Sequence, residues 1–369
     1  MGWACSGSIG LRSAACVDGG VGYAVAVGRV FLVLFLILGL APGTWVRQPA
    51  NVWQTSNILR FTPVKMPGRA ELARHLGPFE LEAAWQITSP DSRFGGFSSL
   101  LPQPGGRLMA ISDRAVFLVF TPPRVSSAAE AHDANITRIP LLHDDDSDTE
   151  SATEDPVSGT IWIGHEDSNA ISRHDPAMHG VVEVRPSAMR DWPRNTGPEA
   201  MVRLADGRFI VLDEGFTGWF ESRRHPAVLF PRDPLKRDKP MLFQFVGVPQ
   251  FSITDMAQLP DGRVLILMRR LLWPLPLRFG GRIMIADPAE IRPGGVWRGI
   301  EVARLTSSLP VDNFEGLAIE PRPDGRVTVW LISDDDRAAT QRTLLWKLAV
   351  DPRRLPWADG TDTRKKARN

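Results

Sequence analysis

The residues best suited to chemistry in this chain fall into two sets of five. Ser98, Glu150, Glu199, Asp255 and Glu315 each stand at the head of a short strand-like segment, and Asp113, Glu166, Glu214, Arg269 and Asp334 each follow a second one. Four of the five are acidic in each set, so whatever fold brings equivalent positions together also gathers carboxylates. Crowded like charges are costly unless they are paired or bound to a cation. An all-oxygen donor set suits a hard ion, and Ca²⁺ takes six to eight oxygen ligands. Glu150, Glu199, Asp255 and Glu315 are therefore the expected metal ligands, with calcium the expected ion. Glu166 is the expected general base, with His165 beside it as a second candidate. Asp113, Arg114, Arg269 and Asp334 flank these groups and are assigned to substrate contact. The alternative is that the acids accept backbone amide hydrogen bonds or pair with arginines such as Arg114, Arg173 and Arg269. For a lone histidine at a strand end, a structural role is the alternative. Asp144, Asp145 and Asp146 read as a solvated loop.

The elements that must position these residues repeat along the chain. Ser98–Arg114, Glu150–Asp167, Glu199–Gly215, Thr254–Arg270 and Asp312–Asp336 each read as strand, glycine turn, and a more hydrophobic strand. The turn glycines are Gly106, Gly159, Gly207, Gly262 and Gly325, separated by 53, 48, 55 and 63 residues. A turn such as Asp324-Gly325 suits a hairpin because glycine tolerates positive φ. A period near 50 with four strands per unit is the size of a propeller blade. The expected fold is all-β, a propeller of about five to six four-stranded blades; an irregular two-sheet sandwich is the alternative. Val116–Phe120 and Ile136–Leu142 are the expected outer strands of the first unit, and Ile283–Ala286 and Ile300–Leu305 those of the fourth. The last unit has Leu344–Val350 but lacks an outer strand. Glu80–Thr88 can supply it, closing the ring by pairing the two ends of the chain and removing an exposed edge. Trp162, Trp330 and Trp346 fall on strands and are expected in the core.

Of 369 residues, 43% are hydrophobic and 23% charged, an ordinary globular composition, and the net charge of +1 argues against nucleic acid as a partner. Arg29 precedes the apolar run Val30–Ala41, too short to span a bilayer comfortably but right for a signal-peptide core. Ala41-Pro42-Gly43 offers a cleavage site, so residues 1–43 are expected to be a signal peptide, or an anchor if Ala24–Val27 lengthens the run. Residues 44–79 then form an extended lead-in, 80–351 the propeller, and 352–369 a polar tail. The expected location is the periplasm or the outer side of the inner membrane. Membrane contact is expected only through an uncleaved N-terminus, and nothing in the sequence points to a protein partner. Both cysteines, Cys5 and Cys16, precede the apolar run, so the exported chain has no disulfide, thiolate site or cysteine nucleophile. There is also no G-x-S-x-G elbow, no H-E-x-x-H helix and no phosphate-binding G-x-x-x-x-G-K.

Several blocks together carry a resemblance. They are Gly95-Gly96-Phe97-Ser98 with Ser112-Asp113-Arg114, Asp148-Thr149-Glu150, Asn195-Thr196-Gly197-Pro198-Glu199, and Asp255 with Arg269-Arg270. Asp312 to Ala318, Ser333-Asp334-Asp335 and Gln341 to Leu345 complete them. Over about residues 80 to 350 the chain resembles the bacterial phytase-like domain proteins, described as having esterase-like activity of phytase type. The family pattern usually has Asn where this chain has Asp336. The resemblance implies an exported propeller and hydrolysis of a small-molecule phosphoric or carboxylic ester. The competing expectation is a non-catalytic propeller that serves as a binding platform at the cell envelope.

Overall fold

The computed structural model describes residues 29–31, 54–143, 148–215, 224–274, 277–338 and 340–357. The chain divides into two units, Met1–Val46 and Arg47–Asn369. In the first, residues 29–31 are helical and exposed. The remainder of the expected export segment, both cysteines, and Asp144, Asp145 and Asp146 lie outside the described residues. Among the described residues no helix is long and apolar enough to cross a membrane.

The second unit is a five-bladed β-propeller built of antiparallel four-stranded blades. Blades 1 to 5 begin with the inner strands Phe97–Gln103, Thr149–Glu154, Pro198–Arg203, Ser252–Gln258 and Asn313–Pro321. Each turns back through its glycine, and all five glycines have positive φ, from +70° to +96°. The second strands are almost wholly apolar because both of their faces are covered. Val327–Asp334 is buried at every residue. Five separate apolar clusters fill the spaces between neighbouring blades, and Trp85 with Trp330, Trp162 with Phe209, Trp297 with Phe245, and Trp346 with Phe314 supply the bulk of four of them. The three strand tryptophans expected in the core are there.

The ring closes as the missing outer strand requires. Glu80–Thr88 pairs antiparallel with Leu344–Val350, from Glu80 opposite Ala349 to Gln86 opposite Leu344. The expected outer strands of blades 1 and 4 are present as Val116–Phe120 with Asn135–Arg138, and Leu277–Ala286 with Ile300–Leu305. The stretch expected as an extended lead-in is more ordered than its sequence suggests. Leu59–Pro63 adds a strand outside Glu80–Thr88, with Leu59 and Phe61 buried, and Arg69–Leu76 is a helix. The polar tail also begins as structure. The guanidinium of Arg263, 1% exposed, donates to the carbonyls of Pro352, Leu355 and Pro356 and lies 4.2 Å from the Trp357 ring.

Candidate functional site

Every inner strand carries one β-bulge near its head, which inserts a residue and re-aims its side chain. The pairing skips Ser98, Glu150, Glu199, Thr254 and Glu315. Three carboxylates thus enter the ring at equivalent places. They sense one another: burial first, then Glu199, Glu315 and Asp148, hold the Glu150 carboxyl well above its usual range. Burial and then Glu214 do the same to Glu199, against the opposing pull of Arg269.

The second set falls on the same mouth. The backbone N–H groups of Asp113, Glu166 and Glu214 donate to the carbonyls of Gly96, Asp148 and Thr196, while Arg269 and Asp334 pair with Ser252 and Asn313. Blade 4 therefore places a guanidinium where the other blades place a carboxylate. Arg269 lies 3.0 Å from Glu315 and 3.5 Å from Glu214. Burial works against its charge, but Glu315, Glu214, Glu199 and Glu150 outweigh this and raise its pKa. Glu315 is pushed up to about 7, by burial first, with Arg269 opposing and Asp336, Asp113 and Glu214 adding to the rise. The Asn313 amide donates to its Oε1 at 2.7 Å. Arg114 sits beside Asp113 at 3.4 Å and donates to the Gly95 carbonyl at 2.8 Å. Gly96 has to be glycine here: its φ is +73°, and a Cβ would stand 2.3 Å from Asp113 Oδ1.

The tightest grouping is Asp148, Glu150 and Glu166, whose carboxylate oxygens lie within 4.8 Å of one another. The Glu166 carboxyl is pushed up to about 8, by burial and then by its hydrogen bond and charge interaction with Asp148. Among the expected metal ligands, Glu150, Glu199 and Glu315 converge. The expected substrate residues Asp113, Arg114, Arg269 and Asp334 surround them.

Two expectations are corrected. Asp255 is not equivalent to the bulged glutamates. Thr254 takes that position, and Asp255 lies one residue deeper on the axis, level with Ser99, Ser151, Ala200 and Gly316. Its carboxylate accepts from the backbone N–H of Met256 at 2.8 Å and of Leu317 at 2.7 Å, and from Leu100 N–H and the Ser99 hydroxyl. Those donors fill its lone pairs, and it plugs the channel beneath the mouth. His165 is turned away from Glu166, as successive strand residues are. It is fully buried, and its Nε2 lies 2.7 Å from Ser172 Oγ, which in turn meets His174 Nε2 at 2.8 Å. Its counterparts Ser112 and Ser333 tie down backbone carbonyls at Gly95 and Arg342. His165 is likewise structural.

Sequence reasoning assigned no site role to Asp148 or Asp336. Asp148 precedes the bulge by two residues, and its carbonyl holds Glu166 in place. Asp336 Oδ2 accepts from the Gln341 amide at 2.8 Å, and its charge reaches Glu315 and Asp334. The neighbouring Asp335 is structural: it accepts from Gly96 N–H and the Thr343 hydroxyl, clasping blade 5 to blade 1.

The fold and the site define a class: a five-bladed propeller whose one mouth is lined by carboxylates around a guanidinium from blade 4. The phytase-like family model, described as esterase-like activity of phytase, matches residues 92–337, and the chain belongs to this family. The family description is that of a hydrolase-type propeller. No curated protein shows significant sequence similarity to the chain. Among solved structures, an α-L-arabinofuranosidase from Podospora anserina is 11% identical with a TM-score of 0.43, covering 79% of this chain and 98% of its own. Glutaminyl cyclase from Myxococcus xanthus is 12% identical with a TM-score of 0.42, covering 74% and 96%. A chain of a nidogen/laminin complex is 9% identical with a TM-score of 0.42, covering 78% and 97%.

Proposed function

We propose that this chain is an exported, metal-assisted hydrolase of small phosphoric or carboxylic esters. The observation that carries the reading is the grouping of Asp148, Glu150 and Glu166 within 4.8 Å. Glu199, Glu214, Glu315 and Asp334 add carboxylate oxygens to the same mouth. Such a donor set, rich in oxygen and negative charge, fits calcium. Asp148 and Glu150 would hold the ion, with Glu199 and Glu315 next to them and Glu166 at its edge as the base. When bound it would neutralise the cluster and polarise an ester oxygen.

The chain's own groups supply the rest. Glu166, whose carboxyl burial and Asp148 hold above its usual range in the metal-free protein, would lose its proton beside a bound ion and serve as the general base. Arg269, fixed by Glu315 and Glu214, meets negative charge that develops on the substrate. Arg114 and Asp113 form the rim. The family description favours ester hydrolysis, and the run Val30–Ala41 favours export.

The purified protein is expected to carry calcium by elemental analysis. It is expected to melt at a higher temperature with calcium than with chelator, since an ion that binds only the folded state stabilises it by about 2.7 kcal/mol at a hundredfold excess over Kd. It should hydrolyse p-nitrophenyl phosphate or p-nitrophenyl acetate, and Glu166→Gln should lower the rate about a hundredfold, the usual scale of lost general acid–base catalysis. Glu150→Gln should shrink the calcium-dependent rise in melting temperature. A protein that cleaves neither ester and melts identically with calcium and chelator would favour the binding-platform alternative.

A further inference from the structure

The channel has a second end. Below the Asp255 layer the inner strands flare into a chamber of about 380 Å³. Every blade contributes apolar side chains to its wall, among them Leu101, Ala152, Val202, Met256 and Ile319. Glu154, the last residue of the blade 2 inner strand, puts a carboxyl on this wall. Its hydrogen-bond partner is the neutral Gln103 amide, at 2.9 Å.

The other polar groups of the wall are committed. Arg203 lies 3.4 Å from Asp155, and its N–H donates to Thr153 Oγ1 at 2.8 Å. Gln258 accepts from Ala205 N–H at 2.7 Å and donates to the Gly262 carbonyl at 2.9 Å. No cation pairs with Glu154 among the described residues, and burial, followed by the neighbouring Asp155, pushes its carboxyl up to about 7. The chamber is thus an apolar bowl with one uncompensated acid, on the face opposite the carboxylate mouth. Its volume lies in the range of small-molecule sites, which combine apolar walls with few polar groups.

We propose that this chamber binds a small hydrophobic monocation, an alkylammonium or arylalkylammonium whose apolar body fills the bowl and whose ammonium pairs with Glu154. The sign of the charge selects the ligand. A carboxylate of the same shape is repelled by Glu154, and an alcohol of the same shape gains the apolar contact without the ion pair. The site is independent of ester hydrolysis at the mouth, and its test uses a separate readout.

The test is an NMR titration of the full chain labelled with ¹³C at the methionine methyls, with the Met256 resonance assigned through Met256→Leu. The probes are hexylammonium, hexanoate and hexan-1-ol at pH 8 and constant ionic strength. Hexylammonium is expected to shift Met256 saturably, and hexanoate to bind at least tenfold more weakly. Glu154→Gln, which keeps the wall in shape, is expected to weaken hexylammonium at least tenfold while leaving hexan-1-ol unchanged. Ala152→Phe, which fills the bowl, should abolish the shift for all three probes. The proposal is overturned if hexylammonium binds without moving Met256, as it would at the acidic mouth alone. Equal affinity for hexylammonium and hexanoate, or Glu154→Gln binding like the wild type, would also overturn it.

Discussion

Replacing Arg269 with methionine is expected to destabilise the metal-free protein by about 3 kcal/mol at pH 8 and by far less at pH 5. Removing one member of a buried ion pair typically costs about 3–5 kcal/mol because the partner charge stays behind. Arg269 retains 28% side-chain exposure, which places the expectation at the low end. At about 2–4 °C per kcal/mol, the melting temperature should fall by roughly 6–12 °C. The pH dependence follows from Glu315. Its carboxyl titrates at about 7 in the folded protein against an ordinary 4.5, so the folded state holds the proton more tightly. Stability therefore falls as pH rises from about 4.5 to about 7, and the deficit is complete above that. Without the guanidinium the Glu315 and Glu199 carboxyls rise further, which deepens the deficit at pH 8. At pH 5 Glu315 carries a proton and needs no partner. Thermal melts of both proteins in chelator at the two pH values check this. An equal loss at both would assign Arg269 a packing role only. Calcium at pH 8 should recover more stability in the variant than in the wild type.

Asp255→Leu should cost about 3 kcal/mol or more at neutral pH, with no calcium-dependent component. Leucine fits the space but accepts nothing, so the buried amides of Leu317, Leu100 and Met256 lose their acceptor. Each such orphaned donor costs about 1–3 kcal/mol, offset in part by no longer burying a carboxyl. Asp255→Asn keeps one acceptor oxygen and should lose less. In Asp255→Asn the rise in melting temperature on adding calcium should match the wild type, because the residue sits a layer below the mouth. A calcium increment that disappears in Asp255→Asn would restore it to the ligand set.

That contrast shows where the sequence was readable and where it was not. The blades were legible because each hairpin needs a residue tolerant of positive φ, so Gly106 to Gly325 mark the turns whatever surrounds them. Closure by Glu80–Thr88 was legible because Leu344–Val350 otherwise has a bare apolar edge. The bulges were not legible. They slip the pairing by one residue without a compositional mark, and a search for acids selects Asp255 over Thr254 although only Thr254 is bulged. The same one-residue alternation separates Glu166, which faces the mouth, from His165, which faces its own blade. Asp148 and Asp336 sit outside the inner and second strands, where no repeat fixes their place.

Closure also sets a clock. Glu80–Thr88 leaves the ribosome early, yet Leu344–Val350, its partner, is made 256 residues after Thr88. At about 5–20 residues per second, that strand waits on the order of 10–50 s with one edge unpaired. Contacts so distant in sequence form slowly. Trp85 and Ile87, which end up fully enclosed, stay available during that interval to chaperones or to another unfinished chain. The ring's last hydrogen bonds thus leave the early strand with an apolar edge exposed to aggregation while the molecule is nascent.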